Sequence, residues 1–266
     1  MKAWLSTLAA FWWHDWNEAA SYPMLQVNRA VGLALMLWIL SNVSRLVPAT
    51  TTTGDLSYLV FAAAGYAGLE LMWTSLGAFT SKLRRHQVTG MLEATVMSGV
   101  PLTRLVTAMP IFDLVTTIVR GVGVVSVAVV VAGAGVGLQG AVLSAAFALG
   151  GLLLFLALGA VSAAVTLRFK GGDPVARAVH LASMVGGGVF FPRGLLPGWV
   201  SEAGAWTPVA PVIEGIRAGL AGSPPAGCAD AAFRLACLLL GSSLVAVVAV
   251  RWAALKVLDE GSLSHY

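Results

Sequence analysis

The chain has 266 residues, of which 58% are hydrophobic and only 11% are charged. A soluble domain carries roughly 25% charged residues, so this composition, with a mean hydropathy of +0.85, excludes an ordinary soluble protein and predicts one embedded in a membrane. The net charge of +4 does not indicate nucleic-acid binding, because the basic residues gather at the ends of apolar segments. The length suits a single membrane bundle, which we expect to occupy residues 1–266.

The N-terminal segment, residues 1–22, has tryptophan, leucine and phenylalanine at helical spacing, with most polar side chains elsewhere on the helix. Tryptophan favours the headgroup layer of a membrane. The pattern predicts an amphipathic helix that lies in the interface, anchored by Trp4, Trp12 and Trp16. The alternative is a poorly ordered terminus.

Six apolar segments follow, each near or above the roughly 20 residues that a helix needs to cross the hydrocarbon. They comprise residues 30–46, 56–80, 105–134, 141–167, 175–191 and 231–255. We therefore predict an all-α membrane protein with six transmembrane helices.

The placement of lysine and arginine predicts how these spans are oriented. Most basic residues fall on the side of the two termini, which we therefore place in the cytoplasm, whereas Arg45, Arg193, Arg217 and Arg234 fall on or near the other side. The high alanine, glycine and valine content is typical of a GC-rich genome, and we expect a bacterial plasma membrane.

Between the second and third spans, residues 88–100 are bracketed by glycine and proline and predict a helix too short to cross a membrane. Met91, Leu92 and Thr95 would form one apolar face of this helix in the cytosol. Such a short helix is marginal in water unless it docks on something, and methionine and leucine suit a groove on a partner protein. The alternative is that it packs on its own bundle.

The fifth apolar segment breaks, at glycine-rich and proline-rich sequence from Gly186 onward, yet the chain stays largely apolar to Leu220. Backbone that stops being helical near membrane depth must find hydrogen-bond partners in protein or in a water-lined cavity. The pattern predicts a re-entrant helical hairpin over residues 194–222, before the last span. The alternative is an extracellular loop with two surface helices.

Several residues mark the expected ends of helices in this region. Pro192 is expected to stop the incoming helix, Pro197 to begin a new short element, and Thr207 to cap a helix whose first residue is Pro208. Glu214 and Arg217, three residues apart, are expected to pair on that helix. The residues that we assign to the re-entrant segment are Phe190, Phe191, Pro192, Pro197, Pro208, Glu214 and Arg217.

Three charged residues lie within apolar spans, namely Glu70, Asp113 and Arg120. Charges within a membrane are functional candidates by default, and Glu70 on a neighbouring helix is a plausible partner for Arg120. Either substrate contact along a translocation path or structural pairing that sets helix register is consistent with the sequence.

Motifs for catalysis are absent from the sequence. No phosphate-binding G-x-x-x-x-G-K-[ST] loop and no H-E-x-x-H or G-x-S-x-G motif occurs, so we expect neither ATP hydrolysis by the chain itself nor catalytic residues. The four histidines lack metal-ligand spacing, so we expect no metal. Cys228 and Cys237 are expected to be unpaired, since nine residues of helix separate them by about 13 Å.

Two parts of the chain together resemble the membrane subunits of ABC transporters of the ABC-2 (type V) class. The first is the run Gly187–Pro192, followed by Leu196–Trp199, Thr207-Pro208 and Ile213–Arg217. The second is the region from Gly90 to Arg104, which looks like the coupling helix of that family.

The resemblance implies the permease subunit of an ATP-driven exporter, with an interfacial elbow helix, six spans and a re-entrant hairpin. Two cytosolic ATPase subunits would bind ATP and magnesium, and a second permease copy or paralogue would complete the path. The residues that would receive motion from the ATPase are Met91, Leu92, Glu93 and Thr95, together with Arg84 and Arg85 of the preceding basic segment. We expect an amphipathic or hydrophobic substrate such as a drug, an antibiotic or a lipid; a polysaccharide or glycolipid exporter, an intramembrane enzyme and a non-transporting assembly protein are the alternatives.

Overall fold

The computed structural model describes residues 2–46, 56–88, 110–169, 173–223 and 225–260. These residues form α-helices and short 3₁₀ turns, without a β-strand, as the composition predicts. In chain order the helices are α1 (Lys2–Ser21), α2 (Pro23–Leu46), α3 (Tyr58–Val88), α4 (Ile111–Val131), α5 (Leu138–Phe169), α6 (Pro174–Gly186), α7 (Gly198–Ala205), α8 (Ala210–Leu220) and α9 (Ala229–Glu260).

Five helices of the described chain are long and apolar enough to cross a membrane, namely α2, α3, α4, α5 and α9. The sequence predicted six. The missing one is α6, which has only 13 residues and is therefore about 20 Å long, shorter than the roughly 30 Å of hydrocarbon. The apolar run there continues in sequence, but the helix does not.

Helix α3 is the centre of the bundle. In its apolar part 67% of the residues are buried inside the protein, against 6% to 22% in the other four long helices. The run Leu59–Ala64 explains this, because three of its six side chains are alanines that let neighbouring helices approach closely. Helices α2, α4, α5, α6 and α8 all pack against α3.

The N-terminal helix α1 confirms the predicted helix and refines its anchors. Trp16 is 54% exposed, and its role as an interfacial anchor stays a prediction. Trp12, by contrast, packs edge-on against Phe112 at the start of α4, with ring centroids 5.2 Å apart. One of the predicted anchors therefore ties α1 to the bundle, while no side-chain environment is described for Trp4.

Candidate functional site

The short helix α6 begins at an aspartate that joins three helices. Asp173 is its N-cap: the carboxylate oxygen Oδ1 accepts a hydrogen bond from the backbone nitrogen of Ala176 at 2.9 Å, and Pro174 follows directly. The same carboxylate accepts hydrogen bonds from Ser162 on α5 and from Thr80 on α3. Sequence reasoning missed Asp173, although an aspartate followed by proline is a recognised helix start.

We expect Asp173→Ala to destabilise the folded protein by about 1–3 kcal/mol, because it removes a helix cap and two hydrogen bonds between helices. The measurement is thermal unfolding of the purified protein in detergent. Asp230→Ala is a matched control, since Asp230 is an exposed residue in the first turn of α9. Asp173→Asn keeps an acceptor oxygen and should lower the free energy of unfolding less than Asp173→Ala does. Equal free energies of unfolding for Asp173→Ala and Asp230→Ala would contradict the role of Asp173 as a cap that joins three helices.

The far end of α6 is the break, which begins at Gly186 as the sequence predicted. The helix ends at Gly186, where the backbone nitrogen of Gly187 closes the last turn on the Ser183 oxygen. Gly188 then adopts a left-handed backbone with φ of +67°, which side chains rarely tolerate. The prediction that Pro192 stops the helix was therefore wrong: the glycines end it six residues sooner.

The carbonyl oxygens at the break are satisfied by side chains of other elements. Arg217 on α8 donates to the oxygen of Gly188 at 2.8 Å and to that of Val189 at 2.7 Å. The hydroxyl of Tyr58 donates to the next oxygen, that of Phe190, at 3.1 Å. Three successive carbonyls that a helix would have satisfied thus find donors within the protein, which is what a non-helical segment at membrane depth requires.

Arg217 also holds the break against α3. Its Nε and Nη2 atoms both donate to the oxygen of Phe61, at 3.0 and 2.9 Å, and its guanidinium lies 3.3 Å from the centroid of the Phe61 ring. A planar cation with five donors can serve several acceptors at once, which lysine cannot do. Arg217 therefore connects α8, the break and α3 at a single buried point.

Helix α8 is a buried helix that is too short to span a membrane. Eight of its eleven residues are buried, and it packs against α3, α5 and α9. Close approach is made possible by glycines, since a side chain at Gly140 on α5 would overlap the Gly219 carbonyl and one at Gly215 would overlap the Phe147 ring. Helix α8 is therefore part of the packed interior of the described chain, while a re-entrant course through the membrane stays a prediction.

The start of α8 differs from the predicted one. Its first residue is Ala210 and its cap position is Val209, without a side-chain cap. Thr207 and Pro208 precede the helix, and the Thr207 hydroxyl instead donates back to the oxygen of Gly204, at 2.7 Å. The prediction of a threonine cap here was wrong, because the hydroxyl closes the end of α7 rather than the start of α8.

Glu214 on α8 pairs with two arginines from outside its own helix. One is Arg193, in the 3₁₀ turn after the break, and the other is Arg234 on α9, whose Nη2 donates to Oε2 at 2.7 Å. The predicted pair of Glu214 with Arg217 is wrong, because Arg217 donates to backbone oxygens. Glu214 thereby joins the break, α8 and α9.

The other residues assigned to the re-entrant segment differ in exposure. Phe190 packs against the main core, whereas Phe191, Pro192 and Pro208 are partly exposed and Pro197 is exposed. Pro197 is the cap position of α7, as predicted. The neighbouring Trp199 is 77% exposed, which suits the headgroup layer.

Two of the charges within the spans, Glu70 and Arg120, lie close together. Glu70 on α3 and Arg120 on α4 lie 3.7 Å apart between Oε1 and Nε, as the sequence suggested. Arg120 also donates to the hydroxyl of Thr117, at 2.9 Å. Asp113 is in the first turn of α4, at its end rather than at mid-span.

The remaining assigned residues are only partly described. Arg84 and Arg85 belong to the last turns of α3, with no description of their side chains. Met91, Leu92, Glu93 and Thr95, the whole predicted coupling face, lie outside the described residues.

One group of candidate metal ligands occurs on α1. The ligand atoms of His14, Asp15 and Glu18 lie within 4.8 Å of one another, with 3.4 Å between His14 Nδ1 and Asp15 Oδ1. All three come from one turn of α1, and such groups are common without an ion. Both cysteines are free, as predicted.

Comparison with known families defines the class of protein. The sequence model of the ABC-2 type transporter family matches residues 7–221, which include most of α1 and all of α2 to α8. The chain therefore belongs to the ABC-2 type transporter family, whose members are the membrane permease subunits of ABC transporters. No curated protein matches the chain.

Proposed function

We propose that this chain is the permease subunit of an ATP-driven exporter that moves an amphipathic or hydrophobic compound, such as a drug, an antibiotic or a lipid, out of a bacterial cell. The proposal is carried by the family match over residues 7–221 together with the buried helix α8, which follows a break whose carbonyls have protein donors. A simple membrane anchor does not require a buried helix that is too short to span the membrane.

In this proposal the energy comes from another molecule. Two cytosolic ATPase subunits bind ATP and magnesium, and residues 88–100 form the coupling helix that contacts them. A second permease copy or paralogue encloses the path. Both termini are cytoplasmic, and α6 with the break makes up the sixth crossing, so that residues 194–222 form the re-entrant hairpin on the outer side.

We expect Leu92→Asp to abolish association with the ATPase, because a carboxylate on the apolar docking face would be buried without a partner. The measurement is co-purification with a candidate ABC ATPase subunit, followed by ATP hydrolysis in vesicles. Leu195→Asp is the matched control, since Leu195 is 69% exposed and lies on the other side of the membrane in this topology.

Deletion of residues 90–99 should have the same effect as Leu92→Asp, with normal insertion in the membrane. If the deleted protein still associates with the ATPase and transports, residues 88–100 are not the coupling helix. A reporter fused to the C-terminus that proved extracellular would refute the topology separately.

A further inference from the structure

A polar stripe runs along α3 through the middle of the bundle. It consists of Tyr66, Glu70 and Thr74, which are four residues apart and therefore share one face of the helix. Two side chains of α4 extend it, Thr117 and Arg120. We call these five residues the polar stripe.

Polar contacts link α3 and α4 along the polar stripe. Arg120 faces Glu70 at 3.7 Å and donates to the Thr117 hydroxyl, and that hydroxyl donates to the Thr74 hydroxyl at 3.3 Å. Arg120 is further tied to its own helix by a bond from Nε to the Thr116 oxygen, at 3.3 Å. One carboxylate oxygen of the stripe lacks a hydrogen-bond donor: Glu70 Oε2 is buried and has no donor within the described part of the chain.

The charges of the polar stripe lie at the depth where charge costs most. Glu70 is within one residue of the middle of the apolar span Tyr58–Ser81, and Arg120 is within one residue of the middle of Ile111–Val131. Their side chains are 17% and 29% exposed. Charged groups at the centre of a bilayer face a water-filled cavity or other protein rather than lipid.

The opposite face of α4 has the character of a lipid contact. Val119 and Val122, on either side of Arg120 in sequence, are 65% and 60% exposed, and both are purely apolar. Two faces of α4 therefore differ in polarity at the same depth, so that the labelling rates of cysteines placed on them can be compared directly.

We propose that the polar stripe is a water-accessible binding surface at mid-depth, where Glu70 receives a protonated amine of the transported compound. The ammonium supplies the hydrogen-bond donor that Oε2 lacks. Arg120 can remain in place, since Thr116 and Thr117 hold its guanidinium. Only the identification of the amine with the transported compound rests on the proposed function.

The first test measures access to water by cysteine labelling in a background free of Cys228 and Cys237. Tyr66→Cys and Thr74→Cys should react with the membrane-impermeant anionic reagent methanethiosulfonate ethylsulfonate at least about tenfold faster than Val119→Cys and Val122→Cys, because a thiol in hydrocarbon does not ionise. Equal, slow labelling of all four positions would overturn the proposal, since it would place the stripe against dry protein or lipid. Two stripe positions are used so that, if one variant fails to fold, the other still provides the test.

The second test measures charge preference with the cationic trimethylammonium reagent of similar size. At Thr74→Cys, Glu70→Gln should lower the ratio of cationic to anionic labelling rates about threefold or more. A ratio that Glu70→Gln leaves unchanged would overturn the role of Glu70.

Neither labelling test needs an ATPase or a substrate. If the ATPase fails to associate but the stripe is labelled, the proposed function fails and the water-accessible surface stands. If the ATPase associates but the stripe is not labelled, the water-accessible surface fails and the proposed function stands.

Discussion

Replacing Arg217 with methionine should lower the free energy of unfolding by about 2–6 kcal/mol, because it leaves the carbonyls of Gly188 and Val189 buried without a donor, at about 1–3 kcal/mol each. The contact with Phe61 on α3 is lost at the same time. Methionine keeps much of the length of the arginine side chain, so the loss measures the guanidinium rather than a cavity. The measurement is the thermal unfolding midpoint of the purified protein in detergent.

The controls separate this effect from a general loss of positive charge. Arg45→Met removes an exposed arginine from the last turn of α2 and should change the midpoint little. Arg217→Lys keeps the charge but cannot donate to three carbonyls together. Its unfolding midpoint should therefore lie between those of the wild type and Arg217→Met. Should Arg217→Met unfold at the same temperature as Arg45→Met, the break does not depend on this side chain.

Two glycines of α3 should respond oppositely to the same substitution. A Cβ atom at Gly65 would overlap the carbonyl oxygen of Val189 and lie 2.8 Å from Nη2 of Arg217, whereas a Cβ atom at Gly77 has no neighbour within 4 Å. Gly65→Ala should therefore destabilise the protein by about 1–3 kcal/mol through overpacking against backbone that cannot rotate away. Gly77→Ala should leave stability unchanged or raise it by up to about 1 kcal/mol, from helix propensity alone.

This pair tests whether the break is seated directly on α3, since both variants add one methyl group to the same helix. Unfolding midpoints in detergent give the comparison. We also expect Gly65→Ala to lower transport by the assembled complex, because the displaced carbonyl is one that Arg217 binds. Equal midpoints for the two variants would show that the Val189 carbonyl does not pack on Gly65.

Much of the fold follows from local features of the sequence. An apolar run of about 20 residues crosses a bilayer whatever its neighbours are, because each residue contributes its own transfer free energy. This reasoning found all five long helices and the approximate place of the break. It counted α6 as a full span, because the sequence stays apolar beyond Gly186 although the helix ends there.

The candidate site was predicted less completely than the fold. Arg217 and Glu214 were identified as members of the segment, but their partners were wrong. The acceptor on Phe61 is 156 residues away from Arg217 in sequence, and the one on Gly188 is 29 away. Spacing along one helix can suggest a pair such as Glu214 with Arg217, but it carries no information about carbonyl oxygens that other elements bring near.

The amino-acid sequence by itself determined that this is a helical membrane protein of the ABC-2 type transporter family, since membrane insertion depends on local apolarity and the family on the order of residues. Only the tertiary structure decided how the break is stabilised, where α8 is buried and which polar side chains of α3 and α4 face one another. The reason is that free backbone oxygens and buried charges are satisfied by whatever donors the packed helices bring within about 3 Å. That set of neighbours is a property of the assembled bundle.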